Sequence, residues 1–449
     1  MNNTSKIVLM LVGFAAIVGC SDSKGKASGS TANPATDKAA ATTAPKGEEN
    51  NKPVTITLYV DSATITELEF QKFFAEPIKK KYPHITMKML VKAKGKEVQD
   101  LLASNEPFPD IIYTSNTSLS RFSDLRLTTD LRDYIKKANL DMSKMRPMVM
   151  ESLALYSPNN ETIALPYTLN FAGWFYNKSI LDRFGVAYPR DLMTWDEMLE
   201  LARKLTRMDS GVQFNGMELD APDRVGGQLS LPLVDPATNR SVINSEGWKR
   251  VMEVMKQNFD MPGYVYGSTY TGFLQKQSSA MMTSWADQML GPLEELEVKG
   301  TPMNWDWVAL PNFKEALGTG REVDMHLMIL SSQGKNKDVA FQVMSHILSD
   351  EVQTTVSKTG RLPVLNNPGL EKLFGEELKT IKGKNSVSNI LKAQPRKIHP
   401  PHDMDRDVKS ALTNAAKAMA VSKKDINTAL REAEEAANKK IAEYLAAKK

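Results

Sequence analysis

The chain has 449 residues, more than one hydrophobic core usually accommodates, so its length predicts two domains. Hydrophobic residues make up 41% and charged residues 24%, which are the proportions of an ordinary globular protein. The formal net charge of +4 is small, and no basic patch interleaved with aromatic residues occurs, so the sequence gives no support for nucleic acid as a partner.

The first 20 residues have the pattern of a targeting segment. Lys6 supplies a thin positive region, and residues 7–18 form an apolar run that is short for a membrane span. The run ends in Ile17-Val18-Gly19-Cys20, which resembles the lipobox of bacterial lipoproteins, although leucine is usual where Ile17 stands. This resemblance implies that Cys20 is acylated with fatty chains such as palmitate and becomes the mature amino terminus. The alternative is a plain secretory signal in which Cys20 is incidental.

Cysteine usage favours the lipid interpretation. Cys20 is the only cysteine in the sequence, so no disulfide can form within the chain. Two or more acyl chains give the multiple anchor that durable membrane attachment requires. Residues 21–52 are rich in Ser, Ala, Thr, Lys and Pro and contain no large apolar residue, which predicts a disordered tether.

The folded chain begins with alternating strand and helix patterns. Strands are predicted at 54–60, 85–91 and 109–113, with helices at 67–82 and 97–103 between them. This rhythm predicts a parallel sheet with helices on its faces.

Polar residues follow two of these predicted strands. Because ligands of such sheets bind beyond the carboxyl ends of the strands, residues 61–64 and 114–116 are candidate binding loops. They could equally be helix caps and turns.

Residues 165–205 carry an ordered set of short motifs. Leu165-Pro166-Tyr167 precedes an aromatic strand and Tyr176-Asn177-Lys178. A helix ending in Phe184-Gly185 follows, and then Thr194-Trp195-Asp196-Glu197, in which Thr194 and Glu197 form a capping box. In their order and spacing these motifs resemble the extracellular solute-binding proteins of ABC importers, in particular the maltose and multiple-sugar binding proteins.

The resemblance extends through most of the chain after residue 54, with two departures. Residues 273–288 match a helix and strand of the family, but Gln277 or Ser278 stands where glycine is usual. Residues 324–332 match a later strand, but Met325 and His326 replace the glycines at its start. Glycine lets another group come close to the backbone, and side chains at these positions hinder that approach.

Motifs of enzymes and metal sites are missing from the sequence. It contains no His-Glu-x-x-His, no Gly-x-Ser-x-Gly and no phosphate-binding glycine loop. His399 and His402 could form a metal clip, and Asp403, Asp405 and Asp407 begin like a calcium loop. However, Val408 and Asn414 stand where that loop requires Gly and Glu, so we assign the aspartates to helix capping and predict no metal and no cofactor.

Aromatic platforms and planar polar groups suit a sugar, which offers C–H faces and hydroxyl groups. Trp195 and Trp248 lie inside helical patterns and are assigned to the core. For the other tryptophans a place in the core remains the alternative. The candidate ligand-binding residues, most of which lie near predicted strand ends, are Trp285, Asp287, Tyr167, Trp174, Asn116, Asp61, Arg361 and Trp305.

The resemblance implies an α/β, two-lobe periplasmic-binding-protein-like fold with interleaved lobes, a hinge and a central cleft. Residues 1–20 are then the lipoprotein signal peptide and residues 21–52 the tether. Lobe one is expected at 53–167 and 321–364, and lobe two at 168–320 and 365–449. Ligand would bind between the lobes and be buried by hinge closure.

The implied function is capture of a carbohydrate, most simply an oligosaccharide, and its delivery to the permease subunits of an ABC transporter. The protein would act as a monomer, without catalysis, anchored by lipid on the extracytoplasmic face of the cell membrane. One alternative is a polysaccharide-active lipoprotein enzyme such as a lyase or hydrolase, which two carboxyls converging in the cleft would favour. Another alternative is a ligand-sensing partner of a membrane receptor kinase.

Overall fold

The computed structural model describes residues 52–157, 160–385, 387–396 and 398–447. The predicted targeting segment with Cys20 and nearly all of the predicted tether lie outside these residues. None of the described helices is long and apolar enough to cross a membrane.

The strands of the described residues are short and spread along the chain. They are β1 (Val54–Val60), β2 (Ile85–Val91), β3 (Ile111–Ser115), β4 (Leu165–Asn170), β5 (Ala172–Asn177), β6 (Arg207–Asp209), β7 (Val212–Glu218), β8 (Val234–Asp235), β9 (Arg240–Ser241), β10 (Ser279–Trp285), β11 (Trp305–Val308), β12 (Thr319–Glu322), β13 (Asp324–Leu330), β14 (Leu362–Pro363) and β15 (Gln394–Arg396).

The α-helices alternate with these strands and then dominate the carboxyl-terminal part. They are α1 (Glu67–Phe70), α2 (Glu76–Lys81), α3 (Val98–Ala103), α4 (Leu119–Asp124), α5 (Arg132–Lys137), α6 (Pro147–Ala154), α7 (Lys178–Phe184), α8 (Trp195–Leu205), α9 (Pro222–Gly226), α10 (Glu246–Phe259), α11 (Asp287–Val298), α12 (Lys337–Ile347), α13 (Asp350–Lys358), α14 (Pro368–Lys372), α15 (Val387–Ile390), α16 (Asp405–Ser422) and α17 (Ile426–Ala447).

The first long helix differs from its prediction in one respect. Between α1 and α2, residues Gln71–Ala75 form a π-helical turn, so that the predicted helix at 67–82 is continuous but wider in its middle. Pro77 follows this turn and lacks the N–H that an uninterrupted α-helical ladder requires. The strand predicted at 109–113 is confirmed but lies two residues later, as β3.

The first sheet has six strands in the order β14-β4-β13-β3-β1-β2. The parallel pairing of β1 with β2 and β3 confirms the predicted βαβαβ arrangement. In contrast, β13 is antiparallel to both of its neighbours, β3 and β4. Successive side chains of a strand point to opposite faces, so Leu58 packs in one core of this lobe and Tyr59 in another.

The second sheet has five strands in the order β11-β5-β10-β7-β6. Both of its faces are covered as well. Along β5, Trp174 and Tyr176 pack against α8, α10, α16 and α17, whereas Phe175 packs on the opposite face. Trp195 and Trp248 lie in the first of these cores, which confirms their assignment to the core.

The two sheets define two lobes that the chain connects more than once. A single residue, Phe171, separates β4 of the first sheet from β5 of the second. The chain returns through β12 to β13 and leaves again after β14. The lobe boundaries given above remain a prediction, and β4 of the first sheet extends to Asn170. Leu365 and Leu370 also pack in a core of the first sheet.

Candidate functional site

A cavity of about 560 Å³ lies between the lobes. Its volume is within the range of small-molecule sites, roughly 300–1,000 Å³. The first lobe contributes Ser62 after β1 and Asn116 after β3, both at carboxyl ends of parallel strands. The second lobe contributes Trp285 at the end of β10 and Asp287 at the start of α11.

Trp285 is an aromatic residue of this wall. It is partly buried at the end of β10, whose preceding residues are all buried. The guanidinium carbon of Arg321 lies 4.9 Å from its ring centroid, an arrangement that favours cation–π attraction. Trp285 also borders a second cavity of about 60 Å³, which has mainly apolar walls.

Asp287 is the centre of a buried polar network that we call the Asp287 cluster. The cluster joins the two lobes and consists of Glu69, Asn170, Asp287, Asp324, His326 and Arg361, every member of which except Asn170 is buried. One oxygen of Asp287 accepts the Asn170 amide at 2.9 Å, and the other accepts the backbone N–H of Thr64 at 3.3 Å. Asp287 Oδ2 also lies 3.4 Å from His326 Nε2 and 3.9 Å from Arg361 Nη1.

The remaining partners of the cluster come from the first lobe. Arg361 donates to Glu69 at 2.7 Å and to the backbone carbonyl of Thr64 at 3.0 Å. Although burial opposes it, the Glu69 carboxylate raises the pKa of the Arg361 guanidinium. The guanidinium is therefore well compensated inside the protein.

His326 and Asp324 lie close together in the wall beneath the cavity. Burial lowers the pKa of the His326 imidazole, whose Nδ1 lies 2.9 Å from the hydroxyl oxygen of Tyr113. Burial also raises the pKa of the Asp324 carboxyl, which accepts the Asn170 amide at 2.9 Å. Both shifts favour the neutral form and so limit the charge buried at this point.

A second group of polar residues surrounds Arg321, and all of its members except Asp220 border the cavity. We call Asp220, Arg224, Gln288 and Arg321 the Arg321 cluster. Asp220 accepts Arg224 at 2.8 Å through one oxygen and Arg321 at 3.0 Å through the other. Arg224 also donates to Gln288 at 3.2 Å, and Tyr270 donates its hydroxyl to the same amide.

The histidines near the start of α16 border the cavity and have protein partners. His399 Nδ1 lies 2.8 Å from Glu322 and Nε2 lies 3.6 Å from Asp405, and these carboxylates outweigh burial and raise the pKa of His399 to about 9. Asp405 also accepts the backbone N–H of His402 at 2.9 Å. Within the described ranges, no group of three or more His, Cys, Asp and Glu side chains is arranged to hold a metal ion.

Three of the eight predicted site residues border the cavity, namely Trp285, Asp287 and Asn116. Asn116 is already committed to the fold, since its Oδ1 accepts the N–H of Met325 at 2.8 Å and its amide donates to Tyr156 at 3.2 Å. The first bond attaches the end of β3 to the start of β13, and the second attaches it to the segment after α6.

The other five predicted residues lie beneath or away from the cavity wall. Tyr167, Trp174 and Trp305 are at most 1% exposed and pack in hydrophobic cores, because helices cover both faces of each sheet. Arg361 belongs to the Asp287 cluster. Asp61 holds Arg121, which does border the cavity, through a 3.2 Å ion pair.

Sequence patterns did not indicate several residues at this site. Arg321 borders the cavity and pairs with Asp220, but the two residues are 101 positions apart in the chain and neither belongs to a recognisable motif. His326 is the exception. His326 stands where the resembling family usually has glycine at the start of this strand, and its side chain borders the cavity.

A family model described as bacterial extracellular solute-binding protein matches residues 74–374. A curated relative is the melibiose/raffinose/stachyose-binding protein of Bacillus subtilis, which is 25% identical over 228 residues, 48% of this chain and 50% of the relative. The chain thus spans about half the length of that relative in the match.

Solved structures show the same fold. An ABC substrate-binding protein of Listeria monocytogenes, in complex with cycloalternan, matches with a TM-score of 0.72 at 16% identity, covering 86% of this chain and 99% of that chain. A solute-binding protein of an ABC transporter from Thermotoga lettingae, bound with alpha-D-tagatose, gives a TM-score of 0.68 at 15% identity, with coverages of 86% and 99%. These matches confirm the predicted two-lobe α/β fold.

Proposed function

We propose, from the premise that this chain belongs to the bacterial extracellular solute-binding protein family, that it captures a carbohydrate between its lobes for the permease of an ABC importer. The family is extracytoplasmic, the Bacillus subtilis relative is a melibiose/raffinose/stachyose-binding protein, and the two solved structures contain cycloalternan and alpha-D-tagatose. The proposal goes beyond family membership in naming the ligand class and the transporter.

The observation that carries the proposal is the wall around Trp285. A partly buried indole in the wall of a cavity between two lobes offers a platform for the C–H face of a sugar. Gln288, Arg224 and Ser62 border the same cavity and offer hydrogen-bonding groups for hydroxyls. Because both lobes contribute to the wall, closing the hinge would bury the ligand on two sides.

The test is a panel of mono- and oligosaccharides, with amino acids and polyamines as controls. A ligand that binds only the folded protein raises its melting temperature, by an amount that grows with ligand concentration. We expect at least one carbohydrate to raise the melting temperature and to give saturable heat in isothermal titration calorimetry. Stabilisation by an amino acid or polyamine alone would contradict the proposal.

Lipid anchoring is a further part of the proposal. Cys20 lies outside the described residues, and its acylation is supported by the apolar run and by its being the only cysteine. Mass spectrometry of protein from a bacterial membrane fraction should detect an acylated Cys20 at the amino terminus. With Cys20→Ser the protein should move to the soluble fraction. Unmodified protein that starts at another residue would contradict the anchor.

A catalytic role is the competing proposal that one observation favours. The carboxyls of Asp287 and Asp324 both lie 2.9 Å from the amide nitrogen of Asn170, so two carboxyls do converge at the cavity. A nucleophilic or basic carboxylate needs a free oxygen facing the substrate, whereas both oxygens of Asp287 already accept hydrogen bonds. We therefore expect a bound oligosaccharide to be recovered intact after prolonged incubation, as chromatography of the products would show.

A further inference from the structure

Arg321 is a buried cation with spare hydrogen-bonding capacity. Its residue is 5% exposed, and Nη1 donates to Asp220 at 3.0 Å. Among the described residues, Nε and Nη2 have no acceptor. Native proteins pair the large majority of buried donors, so two unpaired donors on one guanidinium require an explanation.

The charges around Arg321 are also out of balance. The carboxylate of Asp220 is shared by two guanidinium groups, those of Arg224 and Arg321. The other carboxylate on α9, that of Asp223, lies 3.7 Å from the ammonium group of Lys409. Burial lowers the pKa of Arg321, the direction that an incompletely compensated cation takes inside a protein. A buried charge without a full partner is costly, so an anion at this position would be strongly stabilised.

The unpaired donors also have a geometry that selects the anion. Nε–H and one N–H of Nη2 point the same way along one edge of the planar guanidinium. A carboxylate matches this edge with two parallel hydrogen bonds. The hydroxyls of a neutral sugar would supply acceptors without the charge.

Trp285 is the aromatic neighbour of the Arg321 guanidinium in the cavity wall. The indole covers the guanidinium at 4.9 Å, and both residues border the main cavity and the smaller one of about 60 Å³. The smaller cavity has mainly apolar walls, which include Phe171, Leu310 and Leu362. Nε and Nη2 of Arg321 are buried in this structure, so a ligand carboxylate reaches them only after side chains of the cavity wall rearrange.

We infer that the ligand is an acidic carbohydrate, in which a hexuronate carboxylate binds Nε and Nη2 of Arg321 while its sugar ring contacts Trp285. This inference rests on the proposed function and narrows its ligand class. It assigns to Arg321 a role in specificity.

The first test varies the ligand and leaves the protein unchanged. Di- and trisaccharides of galacturonate, glucuronate and mannuronate are compared with their carboxyl-reduced counterparts, which replace the carboxylate by a primary alcohol. We expect at least one hexuronate to bind, and its reduced counterpart to bind about 10- to 100-fold more weakly, the range for a lost charge-assisted interaction. Equal affinity for the two forms, or binding of sulfated but not carboxylated disaccharides, would overturn the inference.

The second test varies the protein. Arg321→Gln keeps hydrogen-bonding capacity but removes the charge, so it should abolish the preference for the acid over its reduced form. Arg250→Gln makes the same change of net charge at a residue that pairs with Glu315 outside the cavity wall, and should keep the preference. Circular dichroism and the melting temperature establish whether both variants are folded. If Arg321→Gln does not fold, the comparison of acidic and carboxyl-reduced ligands on the unchanged protein still decides the inference.

The outcomes separate this inference from the proposed function. If a neutral oligosaccharide binds tightly and hexuronates do not, carbohydrate capture stands and the role of Arg321 falls. If Arg321→Gln weakens acidic and reduced ligands by the same factor, the guanidinium contributes shape and not charge recognition, and the inference falls. If no carbohydrate of either kind binds, both proposals fail.

Discussion

The Asp287 cluster and the Arg321 cluster border the same cavity but treat buried charge in opposite ways. In the first, Arg361 has Glu69 at 2.7 Å and Asp287 at 3.9 Å, and the pKa of its guanidinium is raised. In the second, Arg321 shares one carboxylate with Arg224, and the pKa of its guanidinium is lowered. The same side chain is thus compensated in one place and incompletely compensated in the other.

The difference indicates two roles for buried charge in a binding protein. A network whose members satisfy each other holds its geometry, and the Asp287 cluster connects groups of both lobes across the base of the cavity. A network with unpaired donors can bind a hydrogen-bond acceptor of the ligand, which suits a residue in the wall of a binding site. The predictions below test this division, from the largest expected effect to the smallest.

Loss of Glu69 should have a large effect on stability. Glu69→Ala leaves Asp287, at 3.9 Å, as the remaining carboxylate beside the buried Arg361 and also removes the capping bond to the Thr66 N–H. Removing one partner of a buried ion pair typically costs about 3–5 kcal/mol. The measurement is the free energy of unfolding in urea. Glu351→Ala is the matched control, since the ion pair of Glu351 with Lys80 is exposed and should contribute little. If both variants lost the same stability, the division would be wrong.

Trp285 should affect binding rather than folding. Trp285→Ala removes an aromatic contact from the cavity wall, so we expect ligand affinity to fall by about 2 kcal/mol or more, as for truncated aromatic hot spots. The melting temperature of the free protein should change little.

Trp305→Ala provides the contrast to Trp285→Ala. Trp305 is fully buried and donates to Thr380 at 2.9 Å, so its removal should cost about 3–5 kcal/mol of stability. Calorimetry of both variants, with and without ligand, separates the two roles. A large loss of stability with unchanged affinity in Trp285→Ala would place Trp285 in the core.

His399 makes a smaller, pH-dependent contribution. Its pKa is raised to about 9 by Glu322 and Asp405, compared with about 6.5 in the unfolded chain. The folded state therefore binds the proton more tightly, and the stabilisation is complete below about pH 6.5 and lost as the pH rises through about 9. His399→Gln should lose most stability at pH 6 and least at pH 10. A loss that grew with pH would contradict this assignment.

Removal of residues 21–51 should have the smallest effect. This segment has no large apolar residue that could contact a ligand or a lobe. We expect protein that begins at Lys52 to bind ligand as tightly as protein that begins at Ser21. Weaker binding by the shorter protein, measured by titration calorimetry, would show that the segment contributes to the site.

Local signals in the sequence predicted local structure well. The capping box of Thr194 and Glu197 is present, with the Glu197 N–H donating to Thr194 at 3.2 Å and the Thr194 N–H to Glu197 at 2.7 Å. The parallel pairing of β1 with β2 followed from alternating strand and helix patterns. Such features depend on residues a few positions apart, so the sequence pattern contains the needed information.

The site was harder to predict because it depends on distant contacts. Trp174 and Trp305 lie on strands that are covered on both faces. Nothing in the local sequence pattern distinguishes them from Trp285, which lies at the end of its strand. The pairing of Arg321 with Asp220 joins positions 101 residues apart. Unpaired donors such as Nε of Arg321 become visible only when the surroundings of a side chain are known.

The place of β13 in the first sheet has a consequence for the order of folding. It lies between β3 and β4, yet every strand of the second sheet precedes it in the chain. A growing chain therefore cannot close its larger sheet until the ribosome has passed residue 330, and pairing between such distant segments is slow. Completion of the six-stranded sheet therefore waits for a strand that is synthesised after every strand of the five-stranded sheet.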